Sequence, residues 1–126
     1  MHRSRVSTVI IDVPQNETAT AVTFWSAALG ATISSDPAEP QFISLREAIP
    51  GLATAIQGID DAPRYHLDFE TDDVDAEVER LTGLGATTVS HWLDCHVLRA
   101  PSGHLLCVIP LHSDPDLFAA RAHRWP

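Results

Sequence analysis

Apolar and polar residues recur along this chain at spacings that predict most of its elements. Val6 to Val13 is rich in β-branched residues and predicts a strand closed by Pro14. Asn16 is placed to cap a following helix. In that helix Ala21, Phe24, Trp25, Ala28 and Leu29 return at helical spacing and form one apolar stripe that stops at Gly30. A short strand after Ala31, a proline-containing turn over Asp36 to Pro40, and strands near Gln41 to Arg46 and Leu52 to Gln57 come next. Gly58 to Pro63, with two aspartates and a proline, reads as a link.

Beyond the link, Arg64 to Glu70 alternates strictly, with Arg64, His66, Asp68 and Glu70 on one face and Tyr65, Leu67 and Phe69 on the other. Asp72 is expected to cap a second helix carrying Asp73 and Asp75 in its first turn, where the helix dipole favours negative charge. Val74, Val78 and Leu81 form its buried stripe and Gly85 ends it. Three more strands are predicted near Ala86 to Ser90, Cys95 to Ala100 and Leu105 to Ile109, the last two joined through Pro101-Ser102-Gly103. Ser113-Asp114-Pro115 starts a short final helix, docked by Leu117, Phe118 and Trp125.

The two halves repeat each other. Asp12 returns as Asp68 and Leu29-Gly30-Ala31-Thr32 returns as Leu84-Gly85-Ala86-Thr87, some fifty-five residues on. Each half therefore reads as strand, helix and three strands. The expectation is an α+β fold of one domain over residues 1–126, with module one at 5–60, module two at 62–112 and a C-terminal helix at 113–126. A duplicated unit places its natural ligand site between the copies.

Composition narrows the partners. With 126 residues and 44% hydrophobic content the chain can bury one proper core. Acidic residues outnumber basic ones by 17 to 8, the net charge is −9, and every basic residue is arginine. The absence of lysine excludes Schiff-base chemistry and a P-loop, and the net charge disfavours nucleic acid and anionic membranes. The apolar run Val9-Ile10-Ile11 is broken by Asp12 and Pro14 before it could serve as a signal core, and no stretch reaches membrane-spanning length. The two cysteines are then expected to be reduced in a cytoplasm.

Phe24-Trp25 with Leu29-Gly30, then Arg64-Tyr65-His66-Leu67-Asp68-Phe69, Asp72-Asp73, Leu84-Gly85-Ala86 and Ala100-Pro101-Ser102-Gly103-His104-Leu105-Leu106-Cys107 together resemble the vicinal oxygen chelate superfamily. Within it, the chain is similar to the small glyoxalase-like proteins that include bleomycin-resistance relatives. The resemblance implies two βαβββ modules whose curved mixed sheet surrounds a central cup, often in a homodimer. It also implies that metal-dependent members hold a divalent ion through four side chains, from the first and last strand of each module. At those positions this chain has Ile10, His66, Cys107 and a residue of the 52–57 segment, where only Thr54 and Gln57 are polar. No carboxylate stands at any of them, so no metal and no cofactor is expected. A soft divalent ion held by His66 and Cys107 with Cys95 or His96 is the alternative.

His66 is the candidate general base and Asp68 the group that orients it, because a neighbouring carboxylate fixes an imidazole's tautomer. Arg64, Glu70, Trp92 and Cys107 are the candidate ligand-binding residues. Arg64 would meet an anionic group. Ser90 to Asp94 reads as a loop carrying Trp92 over a ligand. For each a structural role is the competing reading: His66 a hydrogen-bonded strand residue, Trp92 a closing core residue, Cys107 a small hydrophobe in an apolar strand. No nucleophile elbow supports a hydrolase triad. Two function classes stay open for the small-molecule ligand: an enzyme in which His66 moves a proton on an oxygenated compound, without the usual metal site or as a metal-dependent lyase or dioxygenase with an atypical His/Cys site, or a protein that sequesters a cationic one.

Overall fold

The β-branched run that predicts a first strand extends upstream in the computed structural model, which describes residues 1–126: β1 covers His2–Pro14. A single 3-10 turn, Gln15–Glu17, then leads into α1, Thr18–Leu29. Asn16 sits inside that turn, so it is not the cap. Glu17 occupies the cap position and makes no side-chain bond to the helix. Gly30 closes α1 in the left-handed region at φ 64°, where glycine carries no side-chain penalty.

The chain divides into two units, Thr8–His66 and Met1–Ser7 with Leu67–Pro126. In the first, β2 (Thr32–Ser35), β3 (Phe42–Arg46) and β4 (Ala53–Ile59) lie in the order β2-β3-β4-β1. β1 and β4 are parallel and the other neighbours antiparallel. Ile11, Val13, Leu45 and Ile56 form the core under α1, whose Ala21, Val22, Trp25 and Leu29 pack on it. Ile56 is fully buried, and burying a side chain of that kind contributes about 1.5–3 kcal/mol. The helical stripe is rotated from the predicted one: Val22 joins it, while Phe24 is 60% exposed and rests edge-on against Trp25. Because Ile11 and Val13 point at α1, strand alternation turns Ile10 and Asp12 to the other face. There the β1–β4 register sets Ile10 opposite Ala55 and Asp12 opposite Gln57.

The second unit contains most of β5 (Arg64–Thr71), then α2 (Val74–Gly83), β6 (Thr87–Trp92), β7 (Cys95–Arg99), β8 (Leu105–Pro110), α3 (Pro115–Arg121) and β9 (His123–Trp125). Its order β5-β8-β7-β6 repeats the plan of the first, again with first and last strands parallel. The N-terminal end of β1 lies beside β5, and β9, which periodicity cannot reveal in three residues, pairs with it antiparallel. The fold is thus mixed α+β with nine strands and three α-helices.

Asp73, not Asp72, caps α2, its carboxylate accepting from Ala76 N. Asp72 instead accepts from Arg3 N and Nε at 2.8 and 2.9 Å. At the chain's end Asp114 caps α3 with Pro115 in its first turn, and Phe118 is buried, as the sequence predicts. The proposed covering loop is mostly strand: Ser90 to Trp92 belong to β6, leaving only Leu93 and Asp94 as a tight turn. No helix is long and apolar enough to cross a membrane.

Gly85 follows α2 at φ 110°, and a Cβ built there meets Pro101 Cγ at 3.0 Å. Gly85→Ala is therefore expected to destabilise by more than about 1 kcal/mol, combining backbone strain with a clash against a stiff ring. Urea unfolding checks this, and an unchanged midpoint would contradict it.

Candidate active site around Asp12 and His66

Asp12 comes to the site because it is the odd residue in an apolar strand. With Ile11 and Val13 committed to the core, its carboxylate is carried to the opposite face, where it is 1% exposed. A buried carboxylate needs partners, since leaving it unpaired costs several kcal/mol. The start of β5 supplies two. His66 Nδ1 lies 2.6 Å from Asp12 Oδ2, and Arg64 Nε donates to the same oxygen at 3.4 Å. Arg64 Nη1 also donates to Asp61 Oδ2 at 3.0 Å, which ties the link before β5 to the site.

This arrangement decides the imidazole's chemistry. Where Asp12 is ionised it can only accept, so it holds a proton on His66 Nδ1, and a neutral ring then keeps its lone pair on Nε2. The His66 side chain is 11% exposed and that of Arg64 38%. The dyad is therefore held nearly out of water while a guanidinium beside it stays open to solvent. Asp12 Oδ1 is buried without a hydrogen-bond partner. Such an orphaned acceptor calls for an explanation, and a ligand donor is one.

The remaining candidates fall in different places. Asp68 leaves the same face of β5 as His66, is half-buried, and stands opposite Cys107 of β8. Glu70 is fully buried inside its unit, where it accepts from Ser113 Oγ at 2.7 Å and from the backbone of His112 and Ser113. Arg5 is ion-paired with its other oxygen at 3.7 Å. Glu70 is thus spent on holding the segment after β8. Trp92 ends β6 and is 70% exposed. Cys107 is 9% exposed, and its neighbours Leu106 and Val108 alternate to the opposite face.

Asp12, the carboxylate at His66 Nδ1, is not among the site residues expected from sequence. The signal was present in the repeat, because Asp12 and Asp68 are equivalent: one faces Gln57 across β1 and β4, the other Cys107 across β5 and β8.

Of the family's four metal positions, the one at Ile10 offers no atom that could ligate a divalent ion. Ile10 is buried opposite Ala55, and Thr54 registers with Val9 on the face toward α1, away from Ile10. The imidazole, carboxylate and thiol available on β5 and β8 are those of His66, Asp68 and Cys107. His66 Nδ1 is engaged by Asp12, so Nε2 is the nitrogen this ring offers to any ligand. His96 alternates away from Cys95 and Val97, so it leaves the face that Cys107 shares with Val97.

The family model described as a glyoxalase-like domain matches residues 8–109. No curated protein matches the chain. Among solved structures, methylmalonyl-CoA epimerase from Mycobacterium tuberculosis is similar at TM-score 0.55 and 17% identity, covering 90% of this chain and 91% of that one. A glyoxalase/bleomycin resistance protein/dioxygenase superfamily member from Vibrio splendidus 12B01 has TM-score 0.56 and 14% identity, with 86% and 99% coverage. A hypothetical protein from Bacillus halodurans C-125 reaches 0.61 at 9% identity, with 88% and 96% coverage. At such identities the likeness is one of fold. The repeated strand–helix–three-strand plan, the family match over most of the chain and these neighbours make it a member of the glyoxalase-like domain family of the vicinal oxygen chelate superfamily.

Proposed function

We propose that this chain transfers a proton on a small carbonyl-bearing organic molecule, with His66 as the base and no metal in the step. The observation that carries the reading is the 2.6 Å contact between His66 Nδ1 and the buried carboxylate of Asp12. Nε2 takes a proton from the carbon next to the carbonyl, and the bonding pair moves onto the carbonyl oxygen. Asp12 stabilises the imidazolium that results. Return of the proton to the same or a neighbouring atom completes an epimerisation or isomerisation. Arg64 has no bond at Nη2 and offers it to an anionic group on the substrate. Asp68 and Cys107 stand opposite each other in register, and a homodimer is carried forward from the family resemblance alone.

Proton transfer is read directly by incubating the protein in deuterium oxide with a panel of small α-substituted ketones and carboxylated ketones and following deuterium uptake by mass spectrometry. Uptake that survives exhaustive dialysis against a chelator is the expected result. Activity lost on dialysis and restored by one equivalent of zinc would overturn the metal-free step.

A second reading, sequestration of a cationic compound, is favoured by the unpartnered Asp12 Oδ1 and the net charge of −9. It predicts thermal stabilisation by basic ligands through mass action, with no deuterium uptake from any member of the panel.

A further inference from the structure

Two histidines outside the candidate site face each other across the β6–β7 hairpin. His91 and His96 are Cα partners in the antiparallel register, and their rings stack with centroids 5.1 Å apart and planes 19° from parallel. Neither ring is engaged by a hydrogen bond or an ion pair. The turn between their strands is only Leu93 and Asp94, so the backbone under the pair is fixed close to its loop. We propose that this pair is a binding site for a borderline divalent transition ion, of the nickel, copper or zinc class, held by one nitrogen from each imidazole.

The chemistry follows from the ligand type. Neutral imidazole is the commonest protein ligand for these ions, and it discriminates against magnesium and calcium, which require oxygen. Two rings that already lie side by side on opposed strands chelate one ion by rotating about their own bonds, with no movement of the backbone. Half-buried His96 anchors the site and exposed His91 leaves the remaining coordination positions to water. The pair is independent of the candidate active site. His96 registers with Val108 on β8 whereas Val97 registers with Cys107, which places the histidines on the sheet face opposite Asp68 and Cys107. A bound ion would staple the hairpin whose exposed residues include Val89, Trp92 and Leu93.

Nickel is the probe of choice, because unlike copper it does not oxidise the thiols of Cys95 and Cys107. Isothermal titration of the whole chain with nickel is expected to show one exchangeable equivalent, with amide resonances of residues 89 to 97 selectively broadened. His91→Ala and His96→Ala should each weaken binding by about tenfold or more. His104→Ala, a surface histidine bonded to Ser102 Oγ, should not, nor should magnesium compete. Nickel affinity unchanged in both hairpin variants would overturn the proposal. So would a loss confined to His66→Gln or Cys107→Ser, which would place the ion on β5 and β8. Both hairpin residues lie at the surface end of a strand pair, and a circular dichroism spectrum matching the parent shows that each variant is folded.

Discussion

His66→Gln is expected to lower the proposed proton transfer by about 10²–10⁴-fold, the usual contribution of a positioned general base. Glutamine keeps the length and polarity of the side chain but has no basic lone pair to take a proton. Asp12→Asn should be nearly as damaging, for a different reason. The asparagine amide can donate to Nδ1, which moves the ring proton to Nε2 and removes the base while leaving the contact in place. Asn is also the gentler change for folding, because Arg64, 38% exposed at its side chain, keeps Asp61 as a partner. The measurement is kcat/KM for deuterium uptake in both variants, beside their thermal unfolding. Uptake within a few-fold of the parent in folded Asp12→Asn would show that the 2.6 Å contact orients nothing that matters. A profile in which KM alone rises would place the dyad in binding instead.

The largest stability effect is expected at Glu77. This carboxylate is fully buried on α2, accepts Arg80 Nε and Nη2 at 2.7 and 2.9 Å, and lies 2.8 Å from His2 Nε2. Arg80 in turn stacks over Trp125 at 3.8 Å, and Trp125 Nε1 donates to Ser4. One side chain thereby ties together α2, the beginning of β1 and β9. Glu77→Ala leaves His2 and Arg80 without their acceptor and is expected to cost about 3–5 kcal/mol. Glu77→Gln should cost less, since one acceptor remains. Burial pushes the Glu77 carboxyl up, but hydrogen bonds from Arg80, Ser4 and His2 outweigh it and hold the group below the usual carboxylate range. Its folded-state value being depressed, the ionised form contributes stability above the unfolded-state value, and that contribution is lost as pH falls through the lower folded one. The gap between parent and Glu77→Gln should therefore be widest near neutrality and close in acid. Urea midpoints across pH measure it. A gap that widens in acid would mean that the carboxylate is not what holds the cluster.

Much of the fold was legible because its elements are written in local periodicity. The alternation from Arg64 to Glu70, the Gly30 stop and the Asp114-Pro115 start each need only their own neighbours. What escaped were pairings between distant segments. Nothing in Val9 to Val13 says that Asp12 meets a histidine fifty-four residues away, although the repeat marks Asp12 as the counterpart of Asp68. Glu77 lies within the stripe of Val74, Val78 and Leu81, where an apolar pattern gives no reason to expect a buried charge; only β9 and the start of β1 provide one. Asp72 and Asp73 were equally good caps by type, and Arg3, sixty-nine residues away, decided between them. His91 and Trp92 read as loop because aromatic and polar residues crowd there, whereas the ladder continues through them to a two-residue turn at Leu93, which adopts φ 52°.

Repetition of the strand gives each half one aspartate at the same place, but the two copies are not used alike. One copy is locked against an imidazole and a guanidinium, and the other faces a thiol. Among descendants, the aspartate at 12 should therefore tolerate almost nothing, while that at 68 drifts in step with position 107.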